Sequence, residues 1–165
     1  MIRSMLYATD LGVYAPYVMQ HALALARTFN AELYVIHAVE PMGQFAESLL
    51  QSYLDERTLD QLHSQGVNTV MANIEQRVLE SFRDELDDHE DLALIRAVRV
   101  RQGDPAQVIL EQAQRLSVDL LIVGSHTHGA GVEIPIGRTA VRILQLSAVP
   151  VYMVPLAQHL GRRKP

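Results

Sequence analysis

Val118-Asp-Leu-Leu-Ile-Val-Gly124-Ser-His-Thr-His-Gly-Ala-Gly-Val-Glu-Ile-Pro-Ile-Gly137-Arg-Thr139 is the stretch that decides the fold. An apolar run from Leu120 to Val123 stops at Gly124, a glycine-rich loop follows, and Gly137 opens a helical pattern of Ala140, Val141, Ile143, Leu144 and Leu146. The order is strand, loop, helix. A loop leaving the carboxyl end of a parallel strand aims backbone N–H groups and the positive end of a helix at one point, which suits a phosphate. Gly137 as the capping residue brings no side-chain oxygen to the first-turn N–H groups, so an anion or water must satisfy them.

Upstream, the same alternation recurs. Residues 2–9 read as a first strand that ends in the turn Asp10-Leu-Gly12. From Tyr14, the positions Tyr17, Val18, His21, Ala22, Leu25 and Phe29 step by three and four and describe a helix face; Pro16 fits only its first turn and Asn30 stops it. Residues 31–39 form a second strand whose nearly all-apolar run suits a sheet covered on both faces, and His37 within it reads as a hydrogen-bonded core histidine. The segment from Met42 to Asp91 has helical spacing in Phe45, Leu49, Leu50, Tyr53 and Leu54, and again from Val70 to Leu86. We assign one helix before Gly66 and one after, the second ending in the acidic run Glu85, Asp87, Asp88, Glu90 and Asp91, a solvated face. Tyr17, Phe45, Tyr53 and Phe82 follow helix periodicity and are expected in the core.

Leu94 to Arg101 alternates apolar residues with Arg96, Arg99 and Arg101, the pattern of a third strand near a sheet edge. Gly103-Asp-Pro105 then turns the chain into a helix with Val108, Ile109, Ala113 and Leu116 on one face. Asp119–Val123 is the fourth strand and Val149–Val154 the fifth, with Pro150 placing the start of the last strand on an edge or leaving it unpaired on one side. Strands alternating with helices imply an α/β fold, a doubly wound parallel sheet with helices on both faces.

Bulk properties narrow the function. A chain of 165 residues, 48% hydrophobic and 20% charged, is read as a single globular domain over residues 1–157, with a basic tail, 158–165, expected to be disordered. The net charge of −5 argues against nucleic-acid binding through a basic surface. Having no cysteine, the chain can form neither disulfides nor thiolate metal sites. The N-terminus runs straight into a strand and no apolar run reaches the ~18 residues of a membrane span, so a cytoplasmic protein without membrane insertion is expected. Neither G-x-G-x-x-G after the first strand nor G-x-x-x-x-G-K-[ST] occurs, which leaves NAD and Walker-type sites unsupported.

Tyr-Ala-Thr-Asp10, Ile-His-Ala-Val39, Gly103-Asp-Pro105, Asp119-Leu-Leu-Ile-Val-Gly-Ser-His126 and Val-Pro-Val-Tyr-Met-Val154 follow one another along essentially the whole chain. In that order they resemble the universal stress proteins. The resemblance implies a five-stranded sheet of order 3-2-1-4-5 and a homodimer made through Val149–Val154. In the nucleotide-binding branch it also implies an ATP or AMP site, which Mg²⁺ can accompany. The signature of that branch is Gly, two residues, Gly, nine residues, Gly, then Ser or Thr. Here Gly124 and Gly137 hold the outer positions, Thr127 replaces the middle glycine, and Arg138 replaces the Ser or Thr, with Thr139 one residue later. A β-branched residue at 127 disfavours positive φ at a cost on the order of 1 kcal/mol. Arg138 can pair with a phosphate through its fork of donors or occupy the phosphate's place by pairing with an acid.

Carried over residue by residue, the resemblance places Ala8, Thr9 and Asp10 at the adenine or ribose and Ala38 beside the base. Val123, Gly124, Ser125, His126 and Thr127 line the ribose and phosphates, and Gly137, Arg138 and Thr139 cap the phosphate. The expected function is a regulatory module of the stress response that binds an adenine nucleotide and a regulatory protein partner, with at most weak ATP hydrolysis and no catalytic set. The alternative is a dimeric stress-response adaptor that has lost nucleotide binding, its loop repacked around Thr127 and Arg138. A third reading, a metal-assisted phosphohydrolase using Asp10, His126 and His128, rests on a His-x-His pair in a loop.

Overall fold

The computed structural model describes residues 1–41, 52, 55–61, 66–86, 89–125 and 136–156. In chain order the elements are β1 (Ser4–Ala8), α1 (Ala15–Phe29), β2 (Glu32–Val39), α2 (Glu56–Gln61), α3 (Val67–Glu85), α4 (His89–Leu94), β3 (Ile95–Gln102), α5 (Pro105–Arg115), β4 (Leu120–Gly124), α6 (Arg138–Leu146) and β5 (Val151–Val154). The five strands form one sheet of order β3-β2-β1-β4-β5, and every neighbouring pair is parallel. This is the doubly wound order expected above.

Strand geometry divides the core in two, because successive side chains point to opposite faces. Met5, Tyr7, Leu33, Val35, Leu120 and Ile122 pack with α1 residues Val18, Met19, Ala22, Leu23 and Ala26 and with α3 residues Val78 and Phe82. Leu6, Ile36, Leu121 and Val123 pack on the other side with Ala106, Val108, Ile109 and Ala113 of α5 and Ile143 of α6. Burial on both faces explains the continuous apolar runs of β1, β2 and β4.

Several details differ from the sequence reading. β1 is Ser4–Ala8 rather than 2–9. The buried stripe of α1 is centred on Met19, Leu23 and Ala26, so Phe29, assigned above to the inner face, is exposed. Tyr17, His21 and Leu25 are half-buried at the stripe's margin. Asn30 does stop the helix, with φ of 51° and its N–H donated to the carbonyls of Ala26 and Arg27. The acidic run does not continue one helix: Leu86, with φ −95° and ψ 100°, breaks α3, and Glu90 and Asp91 begin the separate helix α4. There Asp91 pairs with Arg27 of α1. In α6 only Ala140 and Ile143 are buried, while Leu144 and Leu146 are exposed. β5 starts at Val151, one residue after Pro150, whose carbonyl accepts the N–H of Leu121 at 3.0 Å and which is asked for no donor. Phe45, Leu49, Leu50, Tyr53, Leu54, Asp87, Asp88 and the tail 158–165 lie outside the described residues.

Candidate functional site

The strand order reverses between β1 and β4, since the chain leaves β1 toward β2 on one side and reaches β4 on the other. Crevices in open parallel sheets open beyond the carboxyl ends of strands at such a point. A cavity of about 350 Å³ lies there, between the ends of β1, β2 and β4 and the first turns of α5 and α6. Small side chains leave the room: Ala8, Ala38, Gly124 and Ala140 are all in its wall, while Ile109, Val123 and Ile143 make it apolar.

Ten of the twelve residues named from sequence line this cavity: Ala8, Thr9, Asp10, Ala38, Val123, Gly124, Ser125, Gly137, Arg138 and Thr139. The other two, His126 and Thr127, lie outside the described residues, as does His128.

At the β1 end the turn is held by its own side chains. Asp10 accepts the N–H of Gly12 at 2.8 Å and Thr9 Oγ1 accepts that of Leu11 at 3.1 Å, which supports the positive φ of 57° at Leu11. A Cβ at Gly12 would stand 2.9 Å from Asp10 Oδ2, so a larger residue there would displace that carboxylate. From the neighbouring strand, His37 donates Nδ1–H to the carbonyl of Thr9 at 2.8 Å, with the ring tautomer set by that acceptor. Beneath the turn, Tyr7 donates its hydroxyl to the carbonyl of Ala15 at 3.0 Å. Burial of this phenol pushes its pKa above the ordinary tyrosine value, against the lowering effect of a hydrogen bond with Thr9.

At the β4 end Ser125 joins three segments. Its N–H bonds the carbonyl of Val154 at 2.9 Å, its Oγ accepts the N–H of Leu156 at 2.9 Å, and its carbonyl accepts the N–H of Gly137 at 2.7 Å. That last bond holds Gly137 at the mouth of β4. Gly137 is the N-cap of α6 and supplies no side-chain cap. Arg138 is exposed at the cavity wall, and among the described residues it forms no ion pair with an acid. Arg142, one turn on, is held by both carboxylate oxygens of Asp104 at 3.2 and 3.1 Å.

Gly103-Asp-Pro105 builds the wall between these ends. Gly103 has φ of +151° and donates to the carbonyl of Val39 at 3.0 Å, Asp104 caps α5 by accepting the N–H of Gln107 at 3.1 Å, and Pro105 sits in the first turn. Tyr7, His37, Glu40, Pro105, Ile109, Ala140 and Ile143 also line the cavity and were not named as site residues from sequence. His37 and Glu40 were within reach of that reading, for both stand at the carboxyl end of the strand beside β1. A larger groove of about 560 Å³ runs between α5 and α6 past Ser117, Val118 and Val149. It opens at the amino ends of β4 and β5, away from where ligands of such sheets bind.

A model of the universal stress protein family matches residues 1–155. The chain belongs to the universal stress protein family. It is 24% identical over 155 residues to the universal stress protein YxiE of Bacillus subtilis (strain 168), covering 93% of this chain and 99% of that one. Among solved structures, hypothetical protein MJ0577 superimposes with a TM-score of 0.63 at 22% identity, covering 94% of this chain and 96% of that one. The universal stress protein UspA of Lactobacillus plantarum gives 0.61 at 16%, with 93% and 97% covered. A universal stress protein solved in complex with cAMP gives 0.55 at 16%, again with 93% and 97% covered. These likenesses establish the universal stress protein fold. Among the described residues, no helix is long and apolar enough to cross a membrane.

Proposed function

We propose that this universal stress protein binds an adenine nucleotide, ATP or AMP, in the cavity at the ends of β1, β2 and β4 and acts as a regulatory module rather than as a turnover enzyme. The observation that carries the reading is the convergence of strand ends, the glycine-capped start of α6 and Arg138, which forms no ion pair among the described residues, on one crevice at the reversal of strand order. Asp10 and the backbone at Ala38 hold the adenosine, and Val123, Gly124 and Ser125 flank the ribose. The first turn of α6 with Gly137, Arg138 and Thr139 receives the phosphate, where the helix dipole and the guanidinium fork both favour an anion. His126 and Thr127 belong to the same proposal on the family motif, and Mg²⁺ would add charge neutralisation at the phosphates. That a related protein was solved with cAMP agrees with a nucleotide of this class. β5 is an edge strand of the sheet, and we place the homodimer contact on it, through Val149–Val154, in a cytoplasmic protein with a separate regulatory partner.

A second reading, an adaptor without nucleotide, is favoured by one feature: the Ser125 hydroxyl and the Gly137 N–H are already engaged inside the protein. One experiment separates the two. The protein is purified from cells and denatured, the supernatant is analysed for released adenine nucleotide, and ATP and AMP are then titrated calorimetrically. The first reading expects released nucleotide or binding heat, weakened by Gly137→Val. Neither nucleotide nor heat leaves the adaptor.

A further inference from the structure

The turn that follows β1 borders two cavities. Asp10 lines the one at the reversal of strand order, while Leu11 and Gly12 line a second, of about 460 Å³, on the other face of the sheet. Ala15, Pro16 and Met19 of α1 and Ile74, Val78 and Phe82 of α3 wall this second cavity. The base of the turn is fixed to β2, because Thr9 donates its N–H to the carbonyl of Ile36 at 2.9 Å and its own carbonyl accepts Nδ1–H of His37 at 2.8 Å. The far end is tied to α1: Ala15 donates its N–H to the carbonyl of Gly12 at 3.0 Å, and the hydroxyl of Tyr7 holds the carbonyl of Ala15 at 3.0 Å. Between these anchors stands Leu11, at φ of 57° a left-handed conformation that a leucine disfavours. Strain of this kind persists only where surrounding bonds hold it, and it gathers at ligand clamps and switch regions.

From this arrangement we infer that Leu11 is a positioning residue for the nucleotide, and that its backbone passes the state of the nucleotide cavity to the cleft between α1 and α3. The inference rests on the adenine-nucleotide reading above. The bond from the N–H of Gly12 to Asp10 Oδ1 spans Leu11, so it closes only while that backbone is left-handed. The same is true of the bond from the N–H of Leu11 to Thr9 Oγ1, which turns the chain into that conformation. A ligand hydroxyl or amine that bonds the carboxylate in this orientation selects the left-handed form, and the cost of reaching that form is subtracted from ligand affinity. Because Gly12 is bonded to Ala15, the same equilibrium sets the start of α1, where Pro16 and Met19 face α3 across the second cavity.

Substitution of Leu11 in the full chain tests this, with AMP and ATP titrated calorimetrically and Tm measured in parallel. The side chain is 42% exposed, so its replacement leaves the core intact. Leu11→Asn, which accepts a left-handed backbone, should bind nucleotide about three- to tenfold more tightly than the parent, and Leu11→Val, which tolerates it least, more weakly by a similar factor. A merely structural role would move Tm and leave the affinity of the folded protein unchanged. In the parent, hydrogen exchange at the Leu11 and Gly12 amides should slow at saturating nucleotide, and the Ala15 and Val18 amides at the start of α1 should slow with them. Equal affinity in the parent and both variants, or exchange at Leu11 and Gly12 indifferent to nucleotide, overturns the positioning role while leaving the nucleotide reading intact. Slowing confined to Leu11 and Gly12 overturns the passage to α1. A parent that binds neither AMP nor ATP overturns both the inference and the reading beneath it.

Discussion

Replacing Gly103 by alanine tests the turn on which the α5 wall of the cavity depends. At φ of +151° the residue occupies backbone space that L side chains rarely adopt, and an added Cβ would stand 2.8 Å from Val108 Cγ2. The conformational penalty is about 1–2 kcal/mol, and forcing a methyl into packed surroundings costs about 1–3 kcal/mol. Val108 is only 8% exposed, so it has little room to give way. The expected loss is therefore roughly 2–5 kcal/mol, or about 6–15 °C in Tm at about 3 °C per kcal/mol for a chain of this size. Urea and thermal unfolding of Gly103→Ala, Val108→Ala and the double variant separate the two terms. If the clash is real, Gly103→Ala costs at least about 1 kcal/mol less when Val108 is already alanine. A single variant within about 0.5 kcal/mol of the parent, the range of neutral surface changes, would refute the reasoning.

Three further outcomes are expected. Gly12→Ala should leave stability within about 1 kcal/mol, because the atoms it meets belong to the side chain of Asp10, yet displace that carboxylate and weaken nucleotide binding; unchanged affinity in calorimetry would remove Asp10 from the site. Asp119 accepts the N–H groups of Arg3 and Ser4 at 2.8 and 3.1 Å, which holds its carboxyl below the ordinary value. Its contribution should be fully present above the unfolded value of about 3.9 and be lost as pH falls through the lower folded value. Asp119→Asn should flatten the acid limb of stability against pH, and an unaltered limb would contradict this. Tyr7 has the opposite sign: its raised pKa means that its contribution is complete below about pH 10 and disappears as pH rises further. Tyr7→Phe should lose roughly 0.5–1.5 kcal/mol at neutral pH with the bond to Ala15 and be less sensitive to alkali; equal alkaline loss in both proteins would count against the assignment.

The local grammar of the chain was readable without coordinates. Strand runs, the turn at Asp10-Leu-Gly12, Pro16 and Asn30 as bounds of α1, and Gly103-Asp-Pro105 all act through backbone preferences over a few residues. Those same preferences marked the ends of β1, β2 and β4, whereas the ten named residues that line the cavity came from carrying the family resemblance over residue by residue. Which side of a helix is buried was less legible. Phe29, Leu144 and Leu146 fit an apolar period but face outward, because periodicity marks a stripe and only packing sets its centre. Leu86 breaking the acidic segment into two helices likewise carries no Gly or Pro signal.

Composition, periodicity and turn chemistry thus determined an α/β chain whose strands end in candidate site residues, since each of these is a local property of consecutive side chains. Tertiary structure decided what those ends do together. Parallel pairing across 28 residues brings His37 onto the Thr9 carbonyl, and Ser125 ties β4 to Leu156 and to Gly137. Asp104 reaches Arg142 across 38 residues and leaves Arg138 as the one permanent cation in the described walls of the cavity. Which arginine is already paired is a matter of distance in space rather than of order in the chain.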